Sequence, residues 1–279
     1  MKVLEAPRPT EAPPPTGTPR ARRPRPRVAP LVGIAVAALV AELLPRTGLI
    51  ADGALPPLSS VLAQLGRESG DGALWEALGS TVRTWAVGLV AAVAAGVVAG
   101  VAIGLVPLLR ALTASTVEFL RPIPSVALIP AVILIFGTGY ESGVVLIVYA
   151  GFWQVLVQVL YGVQDIDPVA YDTARSYRFG LWARVRHVIW PTALPFVFTG
   201  VRLAASVALV LAITGELVIG TPGIGQLISV AQSSGATTEM FALVLLTGVL
   251  GVLVNVGFRY AERAALGWHP SVRRSAGAR

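Results

Sequence analysis

Cysteine is absent from the 279 residues, so disulfides and thiolate metal sites are excluded. Histidine occurs only at positions 187 and 269, which leaves no basis for a zinc site, and no cofactor is expected. Lysine occurs once, as Lys2. A phosphate-binding loop needs a glycine-rich turn followed by Lys and Ser/Thr, so the chain cannot hydrolyse ATP through a P-loop of its own. Charge is scarce too. Asp, Glu, Lys and Arg make up 13% of the chain, against about 25% in soluble domains.

Apolar residues fill that space: 54% of the chain is hydrophobic and mean hydropathy is +0.72. The expectation is an all-α membrane protein with six transmembrane helices, near 28–50, 80–106, 109–136, 143–163, 193–217 and 240–261. Each covers roughly 30 Å of hydrocarbon at about 1.5 Å per residue. The third is the least regular, because Arg121, Pro122, Pro124 and Pro130 interrupt it and predict a kink or an interfacial start. Residues 1–27 are Pro- and Arg-rich with few apolar side chains, and read as a disordered basic cytoplasmic tail. Residues 28–266 form the membrane domain and 267–279 a short cytoplasmic tail. Basic residues set the orientation. The N-terminal tail, Arg110, the segment around residues 175–186 and the C-terminal end fall on one side. The other holds Arg46 and Arg67, with Arg83 near a span end. Both termini are therefore expected in the cytoplasm.

One polar segment breaks the apolar pattern: QDIDPVAYDTARSYRFGLWARVRHVIWP, 164–191. It must lie outside the bilayer. Asp167 and Pro168 suit a helix start. Val169 to Tyr177 is helix-compatible, Gly180 breaks it, Leu181 to Ile189 continues, and Pro191 and Pro195 mark the return to the membrane. Inter-span loops are usually about four to six residues. A longer, organised one suits seating in a groove of a soluble partner.

The segment resembles the EAA loop of inner-membrane permease subunits of bacterial ABC importers. Aligned on Pro191, Asp172 takes the Glu position, Thr173 and Ala174 the two Ala positions, and Val188 the Ile position. Arg178 stands where the pattern has Gly, and the nearest glycine is Gly180. Residues 55–65, 119–139, 193–217 and 223–228 extend the resemblance, toward the branch that imports nitrate, taurine and alkanesulfonates. It covers roughly residues 50–265. The resemblance implies two permease chains forming a path, expected as a homodimer, with separate cytoplasmic ATPase subunits and an extracytoplasmic solute-binding protein. It implies a bacterial inner-membrane location and no nucleic-acid partner. The ATPase-coupling residues it implies are Asp172, Thr173, Ala174, Arg175, Arg178, Gly180, Val188 and Pro191.

Ionisable residues in spans cost about 2.5–3.5 kcal/mol each at mid-bilayer and are functional candidates by default. Glu216 and Arg121 are candidates for the translocation path or a gate. For Glu216 the alternatives are packing against Arg or a backbone group, or snorkelling outward. Arg121 has Glu118 three residues earlier as a pairing partner. Glu42 and Arg202 read as interfacial. Gly96, Gly100 and Gly104 form a close-packing pattern, within or between protomers. Residues 221–239 read as an external Gly/Ser-rich loop. Two other classes fit less well. A membrane-embedded enzyme needs clustered His, Asp or Glu at one face, and a stand-alone secondary transporter needs two related repeats.

Overall fold

The structure, a computed structural model, describes residues 29–49 and 53–267. The basic N-terminal tail, and the C-terminal tail beyond Gly267 with His269, lie outside the described residues. Among those described, every regular element is helical.

Helix α1 (Ala29–Leu43) is followed by a 3-10 turn at Leu44–Thr47. Next come α2 (Leu58–Glu68) and α3 (Gly72–Leu105). Helix α3 begins eight residues before the expected span because Asp71 caps it, accepting a hydrogen bond from Ala73 N–H at 3.1 Å. Helices α4 (Pro107–Leu120) and α5 (Ile129–Phe136) are joined through a 3-10 turn at Ser125–Leu128 and bent by 83°. This is the kink that Pro122, Pro124 and Pro130 predict. Helix α6 (Tyr140–Gln164) leads to α7 (Pro168–Ser176). Then α8 (Leu181–Arg184), a π turn at Val185–Ile189 and α9 (Trp190–Ile219) run on as one helix of 39 residues. Helices α10 (Ile224–Ser233) and α11 (Thr237–Leu266) are the last of the described elements.

Among the described residues, four helices are long and apolar enough to cross a membrane: α3, α6, the α8–α9 rod and α11. The bent α4–α5 pair makes a fifth if its two helices are taken as one broken span. Helix α1 has 15 residues and, on its own, reaches only about 22 Å.

Helix α6 is the centre of the bundle, packed between α3 and α9, with Leu146, Ile147, Val155 and Val159 fully buried. The α3 glycines make this possible. A Cβ on Gly96, Gly100 or Gly104 would lie 2.7–2.8 Å from Val155, Val159 or Val163 of α6. The close-packing stripe is thus used within the chain, one glycine per α6 valine, over about two turns.

Residues 221–239, expected as a loop, contain α10. Its Ile224, Ile228 and Ala231 are buried, a stripe at helical spacing that the surrounding Gly and Ser obscured.

Candidate functional site

The 164–191 segment is an ordered helix and turn. Asp167 caps α7 by accepting from Val169 N–H at 2.8 Å, with Pro168 in the first turn, as its sequence predicts. The far end is closed by a Schellman motif. Phe179 N–H donates to Ala174 C=O at 3.0 Å and Arg178 N–H to Arg175 C=O at 2.9 Å. Arg178 has φ +58°, the one non-glycine residue with positive φ among those described. The position where the EAA pattern has Gly is thus the position that needs left-handed backbone, and here Arg occupies it.

The candidate coupling residues divide by exposure. Asp172, Thr173, Arg175, Arg178 and Gly180 are exposed, while Ala174 is buried and turned toward the protein's own body. Val188 and Pro191 are half-buried in the following helix. Around the exposed polar groups stand Val169, Tyr177 and Trp182, each more than 70% exposed. Apolar groups so exposed at a polar loop form a contact patch.

Arg184, one of the loop arginines, and Tyr171, which the sequence did not single out, fix this loop to the bundle. The Arg184 guanidinium donates to Tyr171 Oη at 2.9 Å and lies 5.4 Å from the centre of its ring. Tyr171, Ile166 and Val185 pack against the main core. The only sequence signal was an aromatic and an arginine on either side of the turn.

The second helical stretch of the loop is not separate: it is the first part of the α9 rod. Pro191 lacks the N–H that would serve His187 C=O, and its ring would crowd that carbonyl. The π turn widens the helix there, with Trp190 N–H bonding Val185 C=O, and the helix continues.

At the other end of α9, Glu216 is 2% exposed. It neither snorkels nor meets an arginine. Its Oε2 accepts from Gly225 N–H at 3.0 Å and from the Thr81 hydroxyl of α3 at 2.9 Å. Thr81 Oγ1 in turn accepts from Ile224 N–H at 3.0 Å, and Ser80 donates to Pro222 C=O at 2.7 Å. Glu216 and Thr81 therefore satisfy the first free amides of α10, where the helix dipole favours negative charge. Glycine is required around it. A Cβ on Gly223 would overlap the Glu216 carboxyl, and one on Gly225 would overlap the Ile213 carbonyl. Glu42 does the same for α2. It accepts from Ser59 N–H at 2.8 Å and from the Ser59 hydroxyl at 2.9 Å, and pairs with Arg46.

Arg121 lies at the bend between α4 and α5, exposed and without the Glu118 ion pair that its sequence allows. Both residues line a cavity of about 690 Å³ between α4 and α6. Arg202 pairs with Glu262 of α11 at 3.1 Å.

Comparison with known proteins agrees with this architecture. Residues 59–266 match the model of the family described as binding-protein-dependent transport system inner membrane component. The chain is 31% identical to the taurine transport system permease protein TauC of Escherichia coli (strain K12), over 78% of this chain and 82% of that protein. It is 30% identical to the putative aliphatic sulfonates transport permease protein SsuC of Bacillus subtilis (strain 168), over 56% of each. Among solved structures, an inward-facing form of the MetNI methionine ABC transporter superposes with a TM-score of 0.61 at 21% identity, over 71% of this chain and 98% of that one, a likeness of fold. The chain belongs to the binding-protein-dependent transport system inner membrane component family, the multi-pass permease subunits of ABC importers.

Proposed function

We propose that this permease carries a small sulfonate or a similar small polar solute inward, and that ATP hydrolysis by separate cytoplasmic ATPase subunits drives it through the 164–191 loop. An extracytoplasmic binding protein delivers the solute, and a second copy of the chain completes the path. Both termini and the loop face the cytoplasm, in line with the distribution of arginine. Arg121 belongs to the path, and Glu216 to its outer part, where it holds α10.

The observation that carries the reading is α7. It is capped at both ends, anchored by Tyr171 and Arg184, and surrounded by exposed Val169, Tyr177 and Trp182. A short rigid helix with an apolar contact patch suits a groove on a soluble partner. Solute class follows the relatives, whose names specify taurine and aliphatic sulfonates.

The test uses exposed positions only, since a bulky side chain at buried Ala174 would disturb the loop itself. Asp172→Lys and Trp182→Asp should abolish ATPase copurification and stimulated hydrolysis while the permease still folds and inserts. Wild-type assembly and hydrolysis in both variants would refute the docking role.

A further inference from the structure

Helix α4 carries charge within an otherwise apolar region. Arg110, Thr113 and Glu118 of this helix, and Arg121 just past its end, open to one cavity. They line the 690 Å³ cavity opposite Tyr161 and Gln164 of α6. Arg110 is committed to the Gly104 carbonyl, to which it donates at 2.7 Å.

The depth of Arg121 follows from its neighbour. Tyr149 Oη donates to Leu120 C=O at 2.9 Å. Tyr149 lies nine residues from the start of α6 and fifteen from its end, about 13 Å and about 22 Å along the helix. The Leu120–Arg121 backbone therefore stands beside the middle of α6, at one end of a cavity that extends toward the 164–180 loop. A charge at that depth is costly unless water or a counter-charge meets it. The one carboxylate in the same cavity is Glu118, and the two are not joined.

An arginine and a glutamate three positions apart have Cβ atoms about 5–6 Å from each other. Opened to one cavity, they offer opposite charges at the spacing of a solute with two charges a few bonds apart. We infer that Glu118 and Arg121 form a binding station for a small zwitterion, an aminoalkanesulfonate whose sulfonate meets the guanidinium and whose ammonium meets the carboxylate. This rests on the proposed function, and narrows its solute class. Glu118 is the specificity-determining residue. It attracts the ammonium and repels a simple anion of the same size, so selectivity has an attractive and a repulsive part.

The test is uptake by proteoliposomes holding the full transporter with its ATPase and binding protein. Taurine is compared with ethanesulfonate, which keeps the sulfonate and lacks the ammonium, each rate divided by its wild-type value. Glu118→Gln should lower taurine uptake about ten-fold or more, the loss expected for one charge-assisted contact, and leave ethanesulfonate unchanged or faster. Glu118→Asp should restore much of the taurine uptake. Arg121→Gln should lower both solutes, and ATPase copurification should be retained throughout. Taurine uptake at the wild-type rate in Glu118→Gln, or equal loss of both solutes, overturns the station and leaves the proposed function standing. A wild-type transporter that moves neither solute overturns the station together with the sulfonate reading.

Discussion

Arg178 occupies a backbone position that favours glycine, and the cost can be isolated by two substitutions. At φ +58° a residue with a Cβ is strained by about 1–2 kcal/mol. Arg178→Ala removes the charge and keeps the strain. Arg178→Gly removes both, at the expense of about 0.4–1 kcal/mol of extra freedom in the open loop. The charge itself, near the α7 C-terminus, is lost equally in both variants. The Gly variant should therefore hold the turn more firmly than the Ala variant by about 0.5–1 kcal/mol, a roughly two- to five-fold difference in opening. The reporter is the Phe179 amide, bonded to Ala174 C=O across the turn at 3.0 Å. Hydrogen exchange on the purified permease should show it two- to five-fold slower in Gly than in Ala, by about that factor. Equal exchange, or faster exchange in the Gly variant, would refute the claim that the turn is strained at Arg178.

Gly100→Ala would bring a Cβ to 2.7 Å from Val159, and overpacking of this kind costs about 1–3 kcal/mol. Thermal unfolding in detergent should fall by several degrees; an unchanged midpoint would mean α3 and α6 have room to separate. At the Glu216 node, Thr81→Val leaves Ile224 N–H without its acceptor, a loss of about 1–3 kcal/mol, and Gly223→Ala forces the Glu216 carboxyl away. Both should expose residues 221–235 to protease in the detergent-solubilised permease, and protection equal to wild type would show that α10 is held by its apolar contacts alone. Burial raises the Glu68 carboxyl above its ordinary value, opposed by a hydrogen bond from Gln64 and reinforced by Glu239. The folded state therefore binds this proton more tightly, and its contribution grows as pH falls through the folded value toward the unfolded one. Glu68→Gln should stabilise at neutral pH and lose that advantage in acid, read as thermal midpoints at the two pH values.

The long apolar runs made most of the spans legible, and the prolines of 122–130 made the α4–α5 bend legible. The caps at Asp167 and Pro168 were readable because they act on their immediate neighbours. The role of Glu216 was not, since its hydroxyl partner, Thr81, is 135 positions away and carries no local signal. Pro191 misled for the opposite reason. A proline ordinarily marks a helix boundary, but here a single wide turn absorbs the missing N–H and the helix runs through it. Helix α10 was hidden because Gly223 and Gly225, which suggest a loop, are the residues that permit its close approach to Glu216.

The 164–180 loop and the Glu216 node are attached to opposite parts of one helix. From Leu181 to Ile219 the rod spans about 58 Å, and Arg184, which grips Tyr171, precedes Glu216 by 32 residues. A displacement of α7 therefore has a stiff covalent path to the residue that seats α10, with the π turn as its least regular point. The grip at Tyr171 is where such a path begins. Tyr171→Phe removes the hydroxyl bonded to the guanidinium, worth about 1.5–3 kcal/mol, and keeps the ring beside it. Arg184→Met removes the charge and keeps most of the packing volume. Neither touches the exposed face of α7, so ATPase should still copurify, while ATP hydrolysed per solute moved should rise in both variants and more in Arg184→Met. An unchanged ratio in both would mean that the loop transmits force through its packing against Ile166 and Val185, and that the Tyr171–Arg184 contact only shapes it.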